Sequence, residues 1–287
     1  MMRRTRLLAA TLVAVLATTL VLVAPGAPAQ AISPTDKPGY FLVLGDGVAA
    51  GYQPPFGQNR TGGYPGMVLA RIKAAQPNVT MVNLSCVGET TSTFINGGKC
   101  AYAEGSQLRA AKKFLRDHAG QVRFISLNVG GEDVHQCINL TQRTSDTLCA
   151  AGAALTIGAN LPIIVGALRA NALFSRIIVN TLYDPYVAAT IGGGDAGRQQ
   201  AAQSLLLFKT INAGIKTTAA LSFAATADAF KLLDPDNFTI IDTILGPVAQ
   251  NAWNVCSNTY GCQLRYNDIS TNRAGNLLLS GVIGSKL

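Results

Sequence analysis

Four short apolar runs are spaced along the chain, and each ends in a turn rich in glycine or polar residues. The runs occupy residues 40–44, 79–84, 122–129 and 176–182. Their nearly continuous apolar character is typical of strands that are buried on both faces. A shorter fifth strand is predicted within residues 221–227. Strands of this kind need covering on both sides, so they constrain the fold more than any other feature.

Helical patterns alternate with these strands. They cover residues 64–75, 106–118, 150–173, 196–220, 242–254 and 272–283. The third of them is expected to break near Pro162, because proline lacks the backbone donor that a helix interior requires. Strand–helix alternation predicts a single three-layer α/β/α domain with a mostly parallel central sheet.

The first 31 residues are typical of a secretory signal peptide. Arg3, Arg4 and Arg6 precede an apolar run over residues 7–24, and Ala29 and Ala31 frame a small-residue cleavage site. Cleavage is predicted after Ala31, followed by a short linker at 32–38 and the domain at 39–287. The alternative is an uncleaved membrane anchor, since the run nearly spans a bilayer. No later segment is expected to be long and apolar enough to span a membrane.

Composition narrows the classes of function. Apolar residues make up 48% of the chain and charged residues 13%, which excludes a disordered protein. Without the predicted signal peptide the balance is 20 basic against 15 acidic residues, since three arginines and no acid are removed. The basic residues are scattered, so no nucleic-acid partner is expected.

The chain has six cysteines, and an even number in an exported protein indicates disulfides. Six cysteines allow 15 pairings, but these fall into three close couples along the sequence. The predicted disulfides are Cys86–Cys100, Cys137–Cys149 and Cys256–Cys262. A metal site is the alternative, but the usual Cys-x-x-Cys spacing does not occur. No metal and no cofactor are expected.

In a parallel sheet, ligands bind beyond the carboxyl ends of the strands. That rule selects the turns at 45–48, 85–91, 130–135 and 183–186. The first contains "GDG", the second "VGETT" and the third "GGED", and "NDISTNRAG" stands near the C-terminus. Together with "GYP" at 63–65, "FINGG" at 94–98 and "GSQL" at 105–108, this order resembles the SGNH/GDSL hydrolases, in particular secreted actinobacterial members with three disulfides. The resemblance implies a flavodoxin-like fold.

The resemblance also assigns roles to five positions. The nucleophilic serine of the family corresponds to Gly47, and the glycine whose backbone N–H holds the oxyanion corresponds to Gly88. The asparagine that donates to the same oxyanion corresponds to Glu132. The general-base histidine corresponds to Ser270, and the acid that orients it corresponds to Asp268.

Three of these replacements predict a loss of ester hydrolysis. Gly47 has no hydroxyl to attack an ester, and Ser270 is no base at neutral pH. A carboxylate at position 132 accepts hydrogen bonds and would repel a developing oxyanion.

Other polar residues are expected near the same edge. Asp46 and Asp133 are interpreted as structural, bonding backbone amides in turns, and His118 as a residue of a helix end. His135 is interpreted as a surface residue rather than a substitute base. Glu132 and Asp268 either face the pocket or meet solvent. The residues expected around this pocket are Asp46, Gly47, Gly88, Glu132, His135 and Asp268.

Three hypotheses of function follow. The first is a secreted hydrolase-like protein that has lost catalysis and binds an unknown small molecule, for which an acyl ester or a carbohydrate is a candidate. The second is an active ester hydrolase with a rewired site. The third is a structural protein that uses only the scaffold. A monomer is expected, without a stable membrane span after cleavage.

Overall fold

Five parallel strands form the central sheet of the computed structural model, which describes residues 38–54, 56–140, 142–262 and 268–287. The predicted signal peptide and residues 32–37 of the predicted linker lie outside the described residues. The sheet contains β1 (Gly39–Gly45), β2 (Val79–Asn83), β3 (Val122–Asn128), β6 (Arg176–Asn180) and β7 (Ala225–Ala227). Two small hairpins are β4 (Ile138–Asn139) with β5 (Thr144–Ser145) and β8 (Ile240–Thr243) with β9 (Gly246–Ala249).

The strand order is β2-β1-β3-β6-β7, and every neighbouring pair is parallel. This is the order of a flavodoxin-like sheet, which reverses its direction of growth between β1 and β3. The prediction of a mostly parallel sheet in an α/β fold is therefore confirmed. The reversal leaves a crevice at the carboxyl ends of β1 and β3, where the turns with "GDG" and "GGED" lie.

Helices cover both faces of the sheet. One face carries α2 (Thr91–Asn96), α3 (Gln107–Asp117), α4 (Gly131–His135), α5 (Thr147–Asn171) and α6 (Gly194–Leu221). The other carries α1 (Gly63–Ala75), α7 (Ala229–Leu232), α8 (Gln250–Asn258) and α9 (Arg273–Gly284). A 3-10 helix at Pro185–Thr190 follows β6.

Successive side chains of β1 enter different cores. Leu42 and Leu44 pack in the cluster formed with α3 and α5, while Phe41 and Val43 pack in the cluster formed with α1 and α9. All four are fully buried. Because side chains alternate across a strand, a strand buried on both faces must be apolar at every position. This explains the unbroken apolar run that the sequence shows.

The four main strands and five of the six helices lie where the sequence predicted them, within a few residues at their ends. Ser106 and Asn272 begin α3 and α9 as N-caps, accepting hydrogen bonds from backbone amides of the first turn. The fifth strand is confirmed but shorter, because α6 continues to Leu221.

The predicted break at Pro162 is wrong, since α5 runs unbroken from Thr147 to Asn171. Pro162 is exposed, whereas its neighbours Leu161, Ile164 and Val165 are buried in the core. Burying those side chains outweighs the loss of one backbone hydrogen bond.

The expectation about membrane spans also needs correction. Among the described residues, one helix, α5, is long and apolar enough to cross a membrane by length and composition. One side of this helix packs in the core, and Leu148 and Leu155 are exposed on the other.

The helix predicted over residues 242–254 is wrong in its first half. Residues 240–249 form the antiparallel β8–β9 hairpin, and α8 begins only at Gln250. Gly246 adopts a positive φ of 88° and Pro247 follows it, so a helix cannot pass through this pair.

All three predicted disulfides are present: Cys86–Cys100, Cys137–Cys149 and Cys256–Cys262. The first closes the loop between β2 and α3, and the second joins the end of α4 to the start of α5. Each therefore fixes a loop at or near the carboxyl edge of the sheet. Disulfides are typical of proteins from oxidising compartments.

The end of β1 is held by a side chain from α3. Gln107 accepts a hydrogen bond from the Gly45 N–H (2.6 Å) and donates one to the Gly45 carbonyl (3.0 Å). Gly45 has a φ of 133° and no space for a side chain, because a Cβ atom there would lie 1.8 Å from the Asn128 carbonyl oxygen. Glycine is therefore required where β1 meets β3.

We expect Gly45→Ala to lower the free energy of unfolding by more than about 2 kcal/mol, through strain and steric overlap. Gly47→Ala is the matched control. Position 47 lacks a positive φ, and the nearest atoms to a Cβ there are 3.7 Å away, so its change should stay below about 1 kcal/mol. Urea unfolding with the disulfides intact measures both, and equal effects would contradict this account.

Candidate functional site

A ladder of polar side chains joins the carboxyl ends of β1, β3 and β6. Asp46 accepts hydrogen bonds from the Asn128 amide (3.0 Å) and from the backbone N–H of Val48 (3.1 Å). The Asn180 amide donates to Asn128 (3.4 Å). Asp46, Asn128 and Asn180 are all buried. The ladder fixes the floor of the crevice that the strand order creates.

Glu132 lies directly above this floor. Gly130 turns the chain after β3 in a left-handed conformation, and α4 follows at once. The turn directs the Glu132 carboxylate toward the "GDG" turn, where its Oε1 lies 3.9 Å from the position of a Cβ atom on Gly47. The two residues that the family resemblance connects to the nucleophile and the oxyanion are thus neighbours in space.

Asp46, Glu132 and Ser270 line one cavity of about 20 Å³. Asn128 and Tyr183 add further polar groups to its wall. The volume admits about one water molecule, so an acyl group cannot enter this cavity without rearrangement of its walls.

Lys99 lies across Gly88. A Cβ atom on Gly88 would lie 2.5 Å from Cε and 2.8 Å from Nζ of Lys99. The neighbouring Cys100 is bonded to Cys86, two residues before Gly88, and this bond brings Lys99 back to the turn. A positive charge therefore stands where the resemblance expects an oxyanion to be held.

The segment before α9 supplies the remaining side of the site. Asp268 Oδ1 accepts a hydrogen bond from the backbone N–H of Ser270 (2.7 Å), and the Tyr183 hydroxyl donates to the carbonyl of Ile269. Tyr52, which follows the "GDG" turn, has its hydroxyl pKa raised by burial and by the nearby carboxylates of Asp268 and Glu132.

The carboxyl groups of the site share one electrostatic environment. Burial, with the negative charge of Asp268, raises the pKa of Glu132 to about 7, although the nearby Lys99 lowers it in part. Burial and the charge of Glu132 raise the pKa of Asp46 to about 8, against an ordinary value of 3.8. Both groups are therefore partly or largely protonated at neutral pH.

The structure brings together most of the residues that the sequence selected. Asp46, Glu132 and Ser270 share the cavity, Gly47 borders it, and Asp268 interacts with Glu132 electrostatically. Gly88 and Lys99 stand beside them.

Three other selected residues have different surroundings. His135 is outside the cavity wall, and its Nδ1 lies 3.1 Å from the Tyr186 hydroxyl. Asp133 accepts two hydrogen bonds from Thr91, at its backbone N–H (2.8 Å) and its hydroxyl (2.6 Å), and so ties α4 to the start of α2. His118 follows α3 and stacks on Phe114, with their ring centroids 4.2 Å apart.

Sequence reasoning missed Lys99, Tyr52 and Gln107. Lys99 had a usable signal, because the predicted Cys86–Cys100 bond implies that the residue before Cys100 returns to Gly88. A turn separates Tyr52 from Gly47, and 62 residues separate Gln107 from Gly45. No pattern in the sequence predicts either contact.

The chemistry available at this edge is that of charged and hydrogen-bonding groups. Position 47 has space for a small side chain but supplies no hydroxyl. Within the described ranges, no group of three or more histidine, cysteine, aspartate or glutamate residues is placed to hold a metal ion.

Neither a scan against protein-family models nor a search of the curated proteins gave a match to this chain. Solved structures do match. A GDSL-like lipase from Parabacteroides merdae aligns with a TM-score of 0.56 and 12% identity, covering 88% of this chain and 96% of that one. The lipase Lip_vut3 from a goat rumen metagenome aligns with a TM-score of 0.51 and 12% identity, covering 81% and 98%.

An extracellular lipase from Streptomyces rimosus aligns less closely, with a TM-score of 0.48, 20% identity and coverage of 68% of this chain and 82% of that one. At these identities the likeness concerns the fold. The chain has the SGNH/GDSL hydrolase-like α/β fold, with its central parallel sheet between two layers of helices. It is a hydrolase-like protein in architecture.

The raised pKa values predict that stability falls as pH rises. Asp46 binds its proton more tightly in the folded state, so its contribution is complete below about pH 4 and is lost as pH rises toward about 8. Asp46→Asn should flatten the fall in unfolding free energy between about pH 5 and 9, because an amide cannot ionise. Exposed Asp242→Asn is the control and should leave the slope unchanged. Urea unfolding across this range tests it, and an unchanged slope in Asp46→Asn would refute the assignment.

Proposed function

We propose that this protein is an exported hydrolase-like protein that does not hydrolyse esters and binds a small polar ligand at the carboxyl edge of its sheet. The observation that carries the proposal is the position of the Glu132 carboxylate beside Gly47. A carboxylate fills the space in front of the turn where the family resemblance expects a hydroxyl nucleophile and an amide donor.

The physical case against serine-type hydrolysis has three parts. Gly47 offers no nucleophile, and Ser270 cannot take a proton from one. Glu132, when ionised, would repel the negative charge of a tetrahedral intermediate. In hydrolases, loss of a single member of the triad already reduces turnover by about 10⁴–10⁶-fold.

The same groups favour binding. Glu132 and Asp268 offer carboxylate acceptors, Lys99 offers an ammonium donor, and Tyr52 adds a hydroxyl near both acids. Acceptors and donors side by side suit a ligand rich in hydroxyl or amino groups, and a carbohydrate is the class that we favour. The adjacent disulfide restrains the backbone at Lys99, which reduces the cost of ordering this loop when a ligand binds.

The proposed location is outside the cytoplasm. The basic start of the chain, its apolar run and the Ala-x-Ala site support a signal peptide cleaved after Ala31. The three disulfides are consistent with that route.

A second candidate function rests on Glu132 itself. Its pKa of about 7 is the value expected of a general base that works at neutral pH. Glu132 could activate a water molecule, and Lys99 with the Gly88 N–H could hold the developing oxyanion. This would be a rewired ester hydrolase without a covalent intermediate.

One assay separates the two functions. We expect no turnover of p-nitrophenyl acetate or butyrate between about pH 5 and 9, and no labelling by a serine-reactive fluorophosphonate, because the nucleophile and base are missing. Turnover that rises through about pH 7, is lost in Glu132→Gln and is kept in Glu104→Gln would instead establish the second candidate. Activity that survives Glu132→Gln would contradict both.

The binding proposal predicts stabilisation by its ligand. Neutral and amino sugars at millimolar concentration should raise the melting temperature, since a ligand that binds only the folded state stabilises it. Glu132→Gln and Lys99→Gln should each reduce the shift, while Lys112→Gln, at a half-buried position of α3, should not. Differential scanning fluorimetry measures the effect. If no sugar shifts the melting temperature, the carbohydrate class is excluded.

A further inference from the structure

A second and much larger cavity lies on the far side of the 3-10 helix. It has a volume of about 650 Å³ and is enclosed by α6, the 3-10 helix and the β8–β9 hairpin. It shares no wall residue with the small cavity at the end of β1. Its size lies within the range of small-molecule sites, which is about 300–1,000 Å³. We refer to it as the hairpin slot.

The walls of the hairpin slot are mainly apolar. Val187 comes from the 3-10 helix, Leu205 from α6, and Ile240 and Val248 from the hairpin, with Phe238 just before it. Phe238 and Ile240 are 60% and 65% exposed. Apolar side chains that remain open to solvent on several elements around one concavity favour a ligand with an apolar body.

The charge of the wall is of one sign. Arg198 and Lys209 both line the slot, and no acidic side chain does so among the described residues. The two residues are eleven positions apart on α6, which places them about 16 Å apart along one face of the helix. An apolar slot with cationic groups only is complementary to an anion that carries an apolar chain.

Arg198 and Lys209 each form an ion pair, and the two pairs differ in their exposure to solvent. Arg198 pairs with Asp195, whose side chain is 98% exposed, and Lys209 pairs with Asp236, whose side chain is 64% exposed. An ion pair in full contact with water contributes little, about 0–1 kcal/mol, so a ligand can replace Asp195. The planar guanidinium also matches a carboxylate through two parallel hydrogen bonds.

We propose that the hairpin slot binds a medium-chain carboxylate of about ten carbons, with the carboxylate on Arg198 and the alkyl chain along α6 toward Lys209. The site is separate from the carboxyl edge of the sheet and does not depend on the function proposed for that edge. It binds the free acid as a ligand and requires no reaction.

The test uses sodium decanoate, below its micelle concentration, and isothermal titration calorimetry with the disulfide-bonded protein. We expect saturable binding of one decanoate per chain. Ala202→Trp should weaken it at least tenfold, because Ala202 is an exposed wall residue and the indole fills the slot. Ala220→Trp is the matched control, on an exposed position of α6 outside the slot, and should leave binding unchanged.

The charge of the head is tested separately. Arg198→Gln should weaken decanoate binding at least fivefold and leave the binding of decanol unchanged, because the alcohol has no charge to lose. Asp195→Asn removes the competing acid and should leave decanoate binding equal or tighter. This pair of variants also keeps the test decisive if Ala202→Trp lowers the stability of the fold.

Three results would overturn the proposal. The first is no saturable decanoate binding, and the second is binding that Ala202→Trp does not change. The third is a self-associated chain in sedimentation velocity that becomes monomeric in Ala202→Trp, since a second copy would then occupy the slot.

Discussion

The contact between Gly45 and Asn128, locked by Gln107, is the constraint on which the site depends. Where β1 and β3 end, the backbones approach so closely that only glycine fits, and Gln107 from α3 hydrogen-bonds both backbone groups of Gly45. Asp46 follows Gly45 directly, and its carboxyl group accepts a hydrogen bond from the Asn128 side chain. The turns after both strands, and with them Gly47 and Glu132, are positioned by this single junction between sheet and helix.

Charge is the main property that distinguishes this edge. Asp46, Glu132 and Asp268 converge there, and two of them are buried enough that their pKa values approach or exceed neutrality. A catalytic ester site presents donors to a developing negative charge, whereas this edge presents the carboxyl groups of Glu132 and Asp268 with the Lys99 ammonium nearby.

The strands were predictable from sequence because both faces of the sheet are buried, which makes β1 apolar from Phe41 to Leu44 and β3 apolar at most of its positions. The disulfides were predictable because their partners are near neighbours in the chain. The continuation of α5 through Pro162 was not predictable, because packing in the core decides it. The β8–β9 hairpin was also missed, and the pair Gly246–Pro247 excludes a helix there. At the site, the residues that directly follow strands were predicted from the sequence. Lys99 and Tyr52 were not, because they reach the site through loops whose course depends on tertiary structure.

The disulfide between Cys86 and Cys100 helps to position Lys99 at the carboxyl edge of the sheet. Lys99 reaches Gly88 because the bond folds its loop back onto the end of β2. In a reducing environment this covalent tie would be absent, and the loop would be held by noncovalent contacts alone, such as those of Thr91 with Asp133 and of Tyr102 with the Leu84 carbonyl. The position of the Lys99 ammonium at the carboxyl edge therefore depends in part on pairing of the two cysteines.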